Sequence, residues 1–339
     1  MEAVQVGDWH LTDAAGTGGL AKYIAEPDQM VIEENEKVLV WARERGINNV
    51  IQSGDVCDSP RMSYEAQIAA STFFSRNDDM LFHVILGNHD MYGETPRSGH
   101  SLQLLKLLYS KPNVKFYTKP ATVDIDGASV RFLPYPHEDF DAKALNVFHK
   151  EVYGSKGDSG REMKDDKLSK SKAIVVAGHL HTAHRVRNTY YCGTLYQTNF
   201  GESLPKYFHH INFNSASDYS VDLVEHEPTY KLHTVILKTR DDLALIPKGQ
   251  HNLVKLVIQD GADVSASDYA DYSNIAVLKN FKTKEDLHAV LVEDLTEGQS
   301  LIIRTDDFFK EWLASLDVDK AMRDRVCSVR RRILNEVRA

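Results

Sequence analysis

Over the first two hundred residues, short apolar runs alternate with stretches of helical periodicity, which predicts an α/β fold. Ala3–Val6 reads as a first, buried strand. A helix is predicted over Gln29–Glu44, with Val31, Ile32, Val38, Leu39 and Trp41 supplying its apolar side. A strand at Asn49–Gln52, a helix near Ser63–Ser75 and a strand at Leu81–Leu86 follow. Further strands are expected at Val130–Leu133, Leu145–Phe148 and Ala173–Val176. Between the last two, the polar stretch Glu151–Lys172 predicts a surface insertion with room for one short helix. Its lysines suit a solvated loop or a contact with a nucleic-acid backbone.

The pattern changes after about Val224. Strands at His233–Thr239, Leu253–Gln259 and Asn274–Leu278, with a helix at Lys284–Glu293, suffice for a small α+β domain. Two helical patterns close the chain, at Asp306–Leu316 and Asp319–Val337. The expected division is therefore 1–224, 225–300 and 301–339. On the last helix Met322, Val326, Val329, Ile333 and Val337 line one face. Six arginines against Asp324 and Glu336 give residues 321–339 a net charge of +4.

Five of the apolar runs end in residues able to hold a metal. They are Gly7-Asp8-Trp9-His10, Gly54-Asp55, Gly87-Asn88-His89-Asp90, His149 and Gly178-His179-Leu180-His181. The C-terminal ends of strands are where open α/β sheets build their sites. The glycines are expected to let the backbone turn sharply there, so that neighbouring side chains converge. A single D-x-H or G-D is common by chance, and a lone His is usually a surface or core residue. Five fragments in order, each directly after a strand, are far more specific. Asp, Asn and His form a mixed oxygen and imidazole donor set without thiolate, which suits manganese or iron better than structural zinc. Two ions about 3.5–4 Å apart, bridged by a carboxylate, serve in-line attack on a phosphate ester.

Composition adds exclusions. With 42% apolar and 26% charged residues, the 339-residue chain is an ordinary soluble globular protein of about two domains. It has no run of about 18 apolar residues to span a membrane. Met1 leads straight into Ala3-Val4-Gln5-Val6 without a signal core, so a cytoplasmic location is expected. Cys57, Cys192 and Cys327 form no C-x-x-C pair, which fits a reducing compartment. A net charge of −9 argues against coating nucleic acid through bulk charge, but two divalent ions would change the local sign at the site.

The set D-x-H, G-D, G-N-H-D, H and G-H-x-H resembles the calcineurin-like metallophosphoesterase superfamily. That resemblance implies a four-layer α-β-β-α sandwich. It implies one metal held by Asp8, His10, Asp55 and His181, and a second held by Asp55, Asn88, His149 and His179, with Asp55 bridging. His89 would be no ligand but would protonate the leaving oxygen or stabilise transition-state charge, with Asp90 orienting it. His137 competes with His149 for the single-His position, and the better strand ahead of His149 favours the latter.

A second segment narrows the resemblance. Tyr191-Cys192-Gly193-Thr194-Leu195-Tyr196-Gln197-Thr198-Asn199-Phe200-Gly201-Glu202, followed by Lys206, is similar to the Gly-Ser-x-x-x-Thr-x-Phe-x-Glu segment of SbcD-type DNA repair nucleases, with Thr194 in place of Ser. The likeness is strong over about residues 1–212 and architectural beyond. It implies two Mn2+ ions, with Mg2+ as a substitute, and 3′-to-5′ exonuclease action on duplex ends with endonuclease action on single strands. It also implies a capping domain, a homodimer, and C-terminal helices that grip the coiled coil of an SbcC-like ABC-type ATPase in DNA repair and recombination. Composition alone would instead pack those helices on their own domain. The short length and divergent tail fit a bacteriophage version. One departure stands out: those nucleases carry a His three residues beyond the bridging Asp, where this chain has Asp58. A phosphatase or cyclic-nucleotide phosphodiesterase on the same core is the alternative. A non-catalytic scaffold would have lost ligands, and none is lost.

Overall fold

The computed structural model describes residues 1–12, 24, 26–93, 99–109, 111–155, 172–284 and 286–287. Its first sheet is built from β1 (Glu2–Val6), β2 (Asn49–Gln52), β3 (Leu81–Ile85) and β4 (Val114–Tyr117), all parallel. Helices α1 (Pro27–Arg43), α2 (Tyr64–Arg76) and α3 (Ser101–Leu108) connect them in turn. The second sheet contains β5 (Ala121–Ile125), β6 (Ala128–Leu133), β7 (Leu145–His149), β8 (Ile174–Gly178), β9 (His184–Val186) and β10 (Thr189–Tyr191). The hairpin β11 (Lys206–Ser215) and β12 (Asp218–His226) then returns to the first sheet, so the orders are β12-β11-β1-β2-β3-β4 and β5-β6-β7-β8-β10-β9.

Sequence explains the local choices. Strands β2, β7 and β8 are buried at every position, as parallel strands covered on both faces require. Pro27 sits in the first turn of α1, where its missing N–H costs nothing, and Gly46 at φ +73° follows the helix end. The Ser63 hydroxyl caps α2 by accepting from the Ala66 N–H.

Three apolar layers hold the body together. Val4, Val6, Val50, Phe82 and Val84 meet the inner faces of α1, α2 and α3. Ala3, Ile51 and Ile85, on the opposite face of the first sheet, pack against Val130, Phe132, Val147, Ile174 and Val176 of the second. Phe148, Val175, Ala177 and Tyr191 form the outer face of the second sheet, covered by Phe140, Val152 and Leu180 from loops. Most of the 151–172 insertion lies outside the described residues.

Beyond His226 the chain forms a third sheet of β13 (Lys231–Leu237), β14 (Asn252–Gln259) and β15 (Ile275–Phe281) around Val235, Leu237, Val254 and Leu256. Its strands are all parallel and joined through short 3-10 turns among the described residues. The body is tied to this segment by Glu34 of α1. Its carboxylate, fully buried, receives His226 Nε2 at 2.7 Å, Lys37 Nζ at 2.9 Å and the Thr229 N–H at 2.8 Å. The predicted helices at Lys284–Glu293, Asp306–Leu316 and Asp319–Val337 lie almost wholly outside the described residues. Among the described residues, no helix is long and apolar enough to cross a membrane.

Candidate metal centre

All five motif fragments meet at one edge of the two sheets. The parallel strands β1, β2 and β3 of one sheet and β7 and β8 of the other deliver them there, because parallel strands end on the same side. Among the described side chains two adjoining groups, Asp8, His10 and His181, and Asp55, His149 and His179, each have donor atoms within 4.8 Å of one another, and a third such group, His10, Asp58 and His89, shares His10 with the first. In the first, His10 Nε2 lies 3.1 Å from His181 Nε2, and these nitrogens lie 3.8 and 3.7 Å from Asp8 Oδ2. In the second, His149 Nε2 is 3.0 Å from both Asp55 Oδ2 and Asn88 Oδ1, and His179 Nδ1 is 2.8 Å from Asn88 Oδ1. Asp8 Oδ1 also approaches His149 Nδ1 at 3.8 Å, so the groups are continuous.

The glycines work differently from the sequence expectation. Only Gly54, at φ +101°, uses the left-handed region; Gly7, Gly87 and Gly178 lie outside it. Their role is clearance. A Cβ on Gly87 would lie 2.1 Å from Asp55 Oδ1, and one on Gly178 would lie 2.4 Å from the Ser53 carbonyl and 2.7 Å from Asp8 Oδ1. The sharp turning is done by His10, Asp55 and His179 themselves, at φ +47°, +52° and +83°. Left-handed angles on three non-glycine residues concentrate backbone strain at this rim.

The donor set suits divalent ions. Two carboxylates, one amide oxygen and four imidazoles converge, with imidazole nitrogens 3.1 Å from each other or 2.8 and 3.0 Å from a shared oxygen. His10 Nδ1 is buried, and its nearest acidic group is Asp58 Oδ1 at 3.4 Å. Charges confirm the crowding. Burial resists charge on both Asp55 and His149, yet their mutual attraction prevails: Asp55 is held far below the usual carboxylate range, and His149 is pushed up to about 9. An imidazole so placed surrenders its proton when a cation binds.

His89 stands at the edge of this cluster with a side chain 32% exposed. Its N–H donates to Asp55 Oδ1 at 2.8 Å, and its Nδ1 lies 3.0 Å from the Asp58 carbonyl and 3.6 Å from Asp58 Oδ1. The expectation that Asp90 orients this ring is corrected here. The Asp90 carboxylate is fully buried and accepts from the Gly87 and Cys57 N–H groups at 3.0 Å, the Ser101 hydroxyl at 2.8 Å and, more distantly, the Val56 N–H. It staples two motif loops and the start of α3 together, and Asp58 meets the ring instead. His137 lies apart, in an open depression lined by Pro120, Pro136, Glu138 and Asp139.

Two further acids surround the ligand histidines, and the residue pattern had assigned neither a role. Glu151 Oε2 is 2.8 Å from His179 Nε2, and that bond holds Glu151 down to about 2 despite its burial. Glu202 is fully buried; against that burial, Lys206 and His181 hold it near 2. Its Oε2 receives Lys206 Nζ at 2.5 Å and its Oε1 lies 3.1 Å from His181 Nδ1. The available signals were the spacing of Glu151, two residues after His149, and the matched segment ending in Glu202.

Residues 1–228 match the family model described as calcineurin-like phosphoesterase. The chain belongs to the calcineurin-like phosphoesterase family. It is therefore a metal-dependent phosphoesterase, and the dinuclear metal site used by this family fits the two adjoining groups. Among curated proteins, exonuclease subunit 1 of Enterobacteria phage T4 is 28% identical over 218 residues, which is 60% of this chain and 61% of that protein. The chain thus spans less than two thirds of that relative. Putative phosphoesterase 244L of Invertebrate iridescent virus 6 is 23% identical over 199 residues, 53% of this chain and 70% of that one. Among solved structures, Yfce, a phosphoesterase from E. coli, matches with a TM-score of 0.34 at 14% identity, covering 67% of this calcineurin-like phosphoesterase and all of Yfce. Purple acid phosphatase PPD1 from yellow lupin matches with a TM-score of 0.39 at 12% identity, covering 66% and 51%.

Proposed function

We propose that this phosphoesterase is a manganese-dependent DNA nuclease of the SbcD type, acting 3′-to-5′ on duplex ends and as an endonuclease on single strands. The observation that carries the reading is the convergence of seven oxygen and imidazole donors into two adjoining groups beside His89. Exonuclease subunit 1 of phage T4 favours a nuclease over the alternative phosphatase or cyclic-nucleotide phosphodiesterase. One ion would be held by Asp8, His10, Asp55 and His181, the other by Asp55, Asn88, His149 and His179. When bound, such a pair polarises the phosphate and activates water.

The chain's own groups do the rest. The Asp58 carbonyl accepts from His89 Nδ1–H, which leaves Nε2 as the nitrogen that passes a proton to the departing 3′ oxygen. The Asp58 carboxylate lies 3.6 Å from the same nitrogen and 3.4 Å from His10 Nδ1, so it stands between the two rings. Asp58 therefore supports His89 in place of the phosphate-binding His of SbcD-type nucleases. The third sheet is read as the cap, and the C-terminal helices as the grip on an SbcC-like coiled-coil ATPase in the host cytoplasm. Homodimer formation is supported by exposed apolar residues on α2 and α3: Tyr64, Ile68, Leu104, Leu107 and Leu108.

The test is a gel assay on 3′-labelled duplex and single-stranded DNA with Mn2+ or Mg2+, with and without the ATPase and ATP. Cleavage with Mn2+ that is abolished by Asp8→Ala and His89→Ala is the expected result. Release of inorganic phosphate from a monoester with intact DNA would replace the nuclease by a phosphatase.

A further inference from the structure

His179 and His181 are separated by a single residue, yet their acidic partners take opposite ring nitrogens. Glu151 meets His179 at Nε2, 2.8 Å away, whereas Glu202 meets His181 at Nδ1, 3.1 Å away. The remaining nitrogens then face different groups. His179 Nδ1 lies 2.8 Å from Asn88 Oδ1, which His149 Nε2 also approaches at 3.0 Å. His181 Nε2 lies 3.1 Å from His10 Nε2 and 3.7 Å from Asp8 Oδ2.

An ionised carboxylate only accepts hydrogen bonds, so the ring nitrogen beside it must carry the hydrogen. In a neutral imidazole the other nitrogen then holds the lone pair, the only one a metal can use. Strands alternate their side chains, but residues 179 and 181 lie past the end of β8, where the left-handed angle of His179 has broken that alternation. Ring identity is thus not set by the strand and needs an outside constraint.

We propose that Glu151 and Glu202 are positioning residues that impose opposite tautomers on His179 and His181, committing each histidine to its own metal group. The proposal rests on the two-metal reading above. The two acids differ in firmness. Glu202 is fully buried and clamped by Lys206 Nζ, which also reaches Thr194 Oγ1 at 3.0 Å, and by the Thr198 hydroxyl. The Glu151 side chain is 24% exposed, so its histidine is the more easily released and the Asn88 group is the one lost first.

Nitrogen-resolved NMR of the histidine-labelled wild-type protein loaded with diamagnetic Zn2+ reads the tautomers directly. The expected result is Nε2–H on His179 and Nδ1–H on His181; the same tautomer on both, or the reverse pair, overturns the proposal. In Mn2+ titrations followed by calorimetry, Glu151→Ala is expected to weaken one of two sites about 10–100-fold. The other site stays at its wild-type constant, and Glu151→Gln, which keeps an acceptor oxygen, recovers part of the loss. Glu202→Gln paired with Lys206→Met avoids a stranded buried ammonium and should weaken the other site instead. Wild-type binding curves in all these variants overturn the proposal. Failure of the underlying reading looks different: the wild-type protein itself would bind fewer than two equivalents, or His179→Ala and His181→Ala would retain both.

Discussion

Replacing Asp90 separates two roles for the acid of Gly87-Asn88-His89-Asp90. If it oriented His89, its loss would cost turnover and spare folding. Its observed partners predict the opposite emphasis. Asp90→Ala strands the Gly87 and Cys57 N–H groups, both bonded at 3.0 Å inside a site without water access, while the Ser101 hydroxyl can turn elsewhere. Each stranded buried donor costs about 1–3 kcal/mol, so the loss is about 4 kcal/mol. That is a large part of the roughly 5–15 kcal/mol that keeps a domain folded. Asp90→Asn keeps one oxygen for Gly87 and can donate to Ser101, leaving Cys57 N–H unpaired at a cost of about 2 kcal/mol. Urea unfolding in EDTA measures this without the metal. With a slope of about 3 kcal/mol/M, the midpoint should fall by about 1.3 M for Ala and about half of that for Asn. Equal midpoints for all three proteins, together with lost turnover, would refute the staple and restore the contact with His89.

Further outcomes follow from the same geometry. Burial holds His83 down to about 4 and His209 to about 3, so both stay neutral in the fold while an unfolded chain binds their protons below about 6.5. Their stabilisation is complete above pH 6.5 and is lost as pH falls towards 4 and 3. His209→Gln should therefore close a gap of about 2.7 kcal/mol in the pH 7.5-to-4.5 difference in unfolding free energy, measured in urea. Gly87→Ala forces a Cβ to within 2.1 Å of Asp55 Oδ1 and should abolish at least one Mn2+ equivalent in a titration, whereas Gly127→Ala, with open space at its Cβ, leaves metal binding intact. Glu34→Ala removes the acceptor shared by His226, Lys37 and the Thr229 N–H and should cost about 3 kcal/mol in urea, with limited proteolysis cutting first near residues 226–231.

Particular residues show where sequence reading reaches its limit. Strands β1, β2, β3, β7 and β8 were legible because each carries a short apolar stretch that leads directly into a metal-capable motif. The hairpin β11–β12 was not, because Lys206, His209 and His226 occupy buried positions and the outer strand is largely polar. Helix α3 is only eight residues long, too short for its periodicity to declare itself.

The sequence by itself determined the donor chemistry, the order of the motifs and their common edge, since parallel strands always bring their C-terminal ends to one side. It also favoured His149 over His137 through the strand before it, and the fold sets His149 beside Asp55 and His137 apart from that group. Only the tertiary structure decided which acid serves which histidine: Asp58 rather than Asp90 beside His89, Glu151 on His179, Glu202 on His181. Those pairings depend on the paths of loops from separate sheets across a few ångströms, and neither periodicity nor spacing along one chain records that distance.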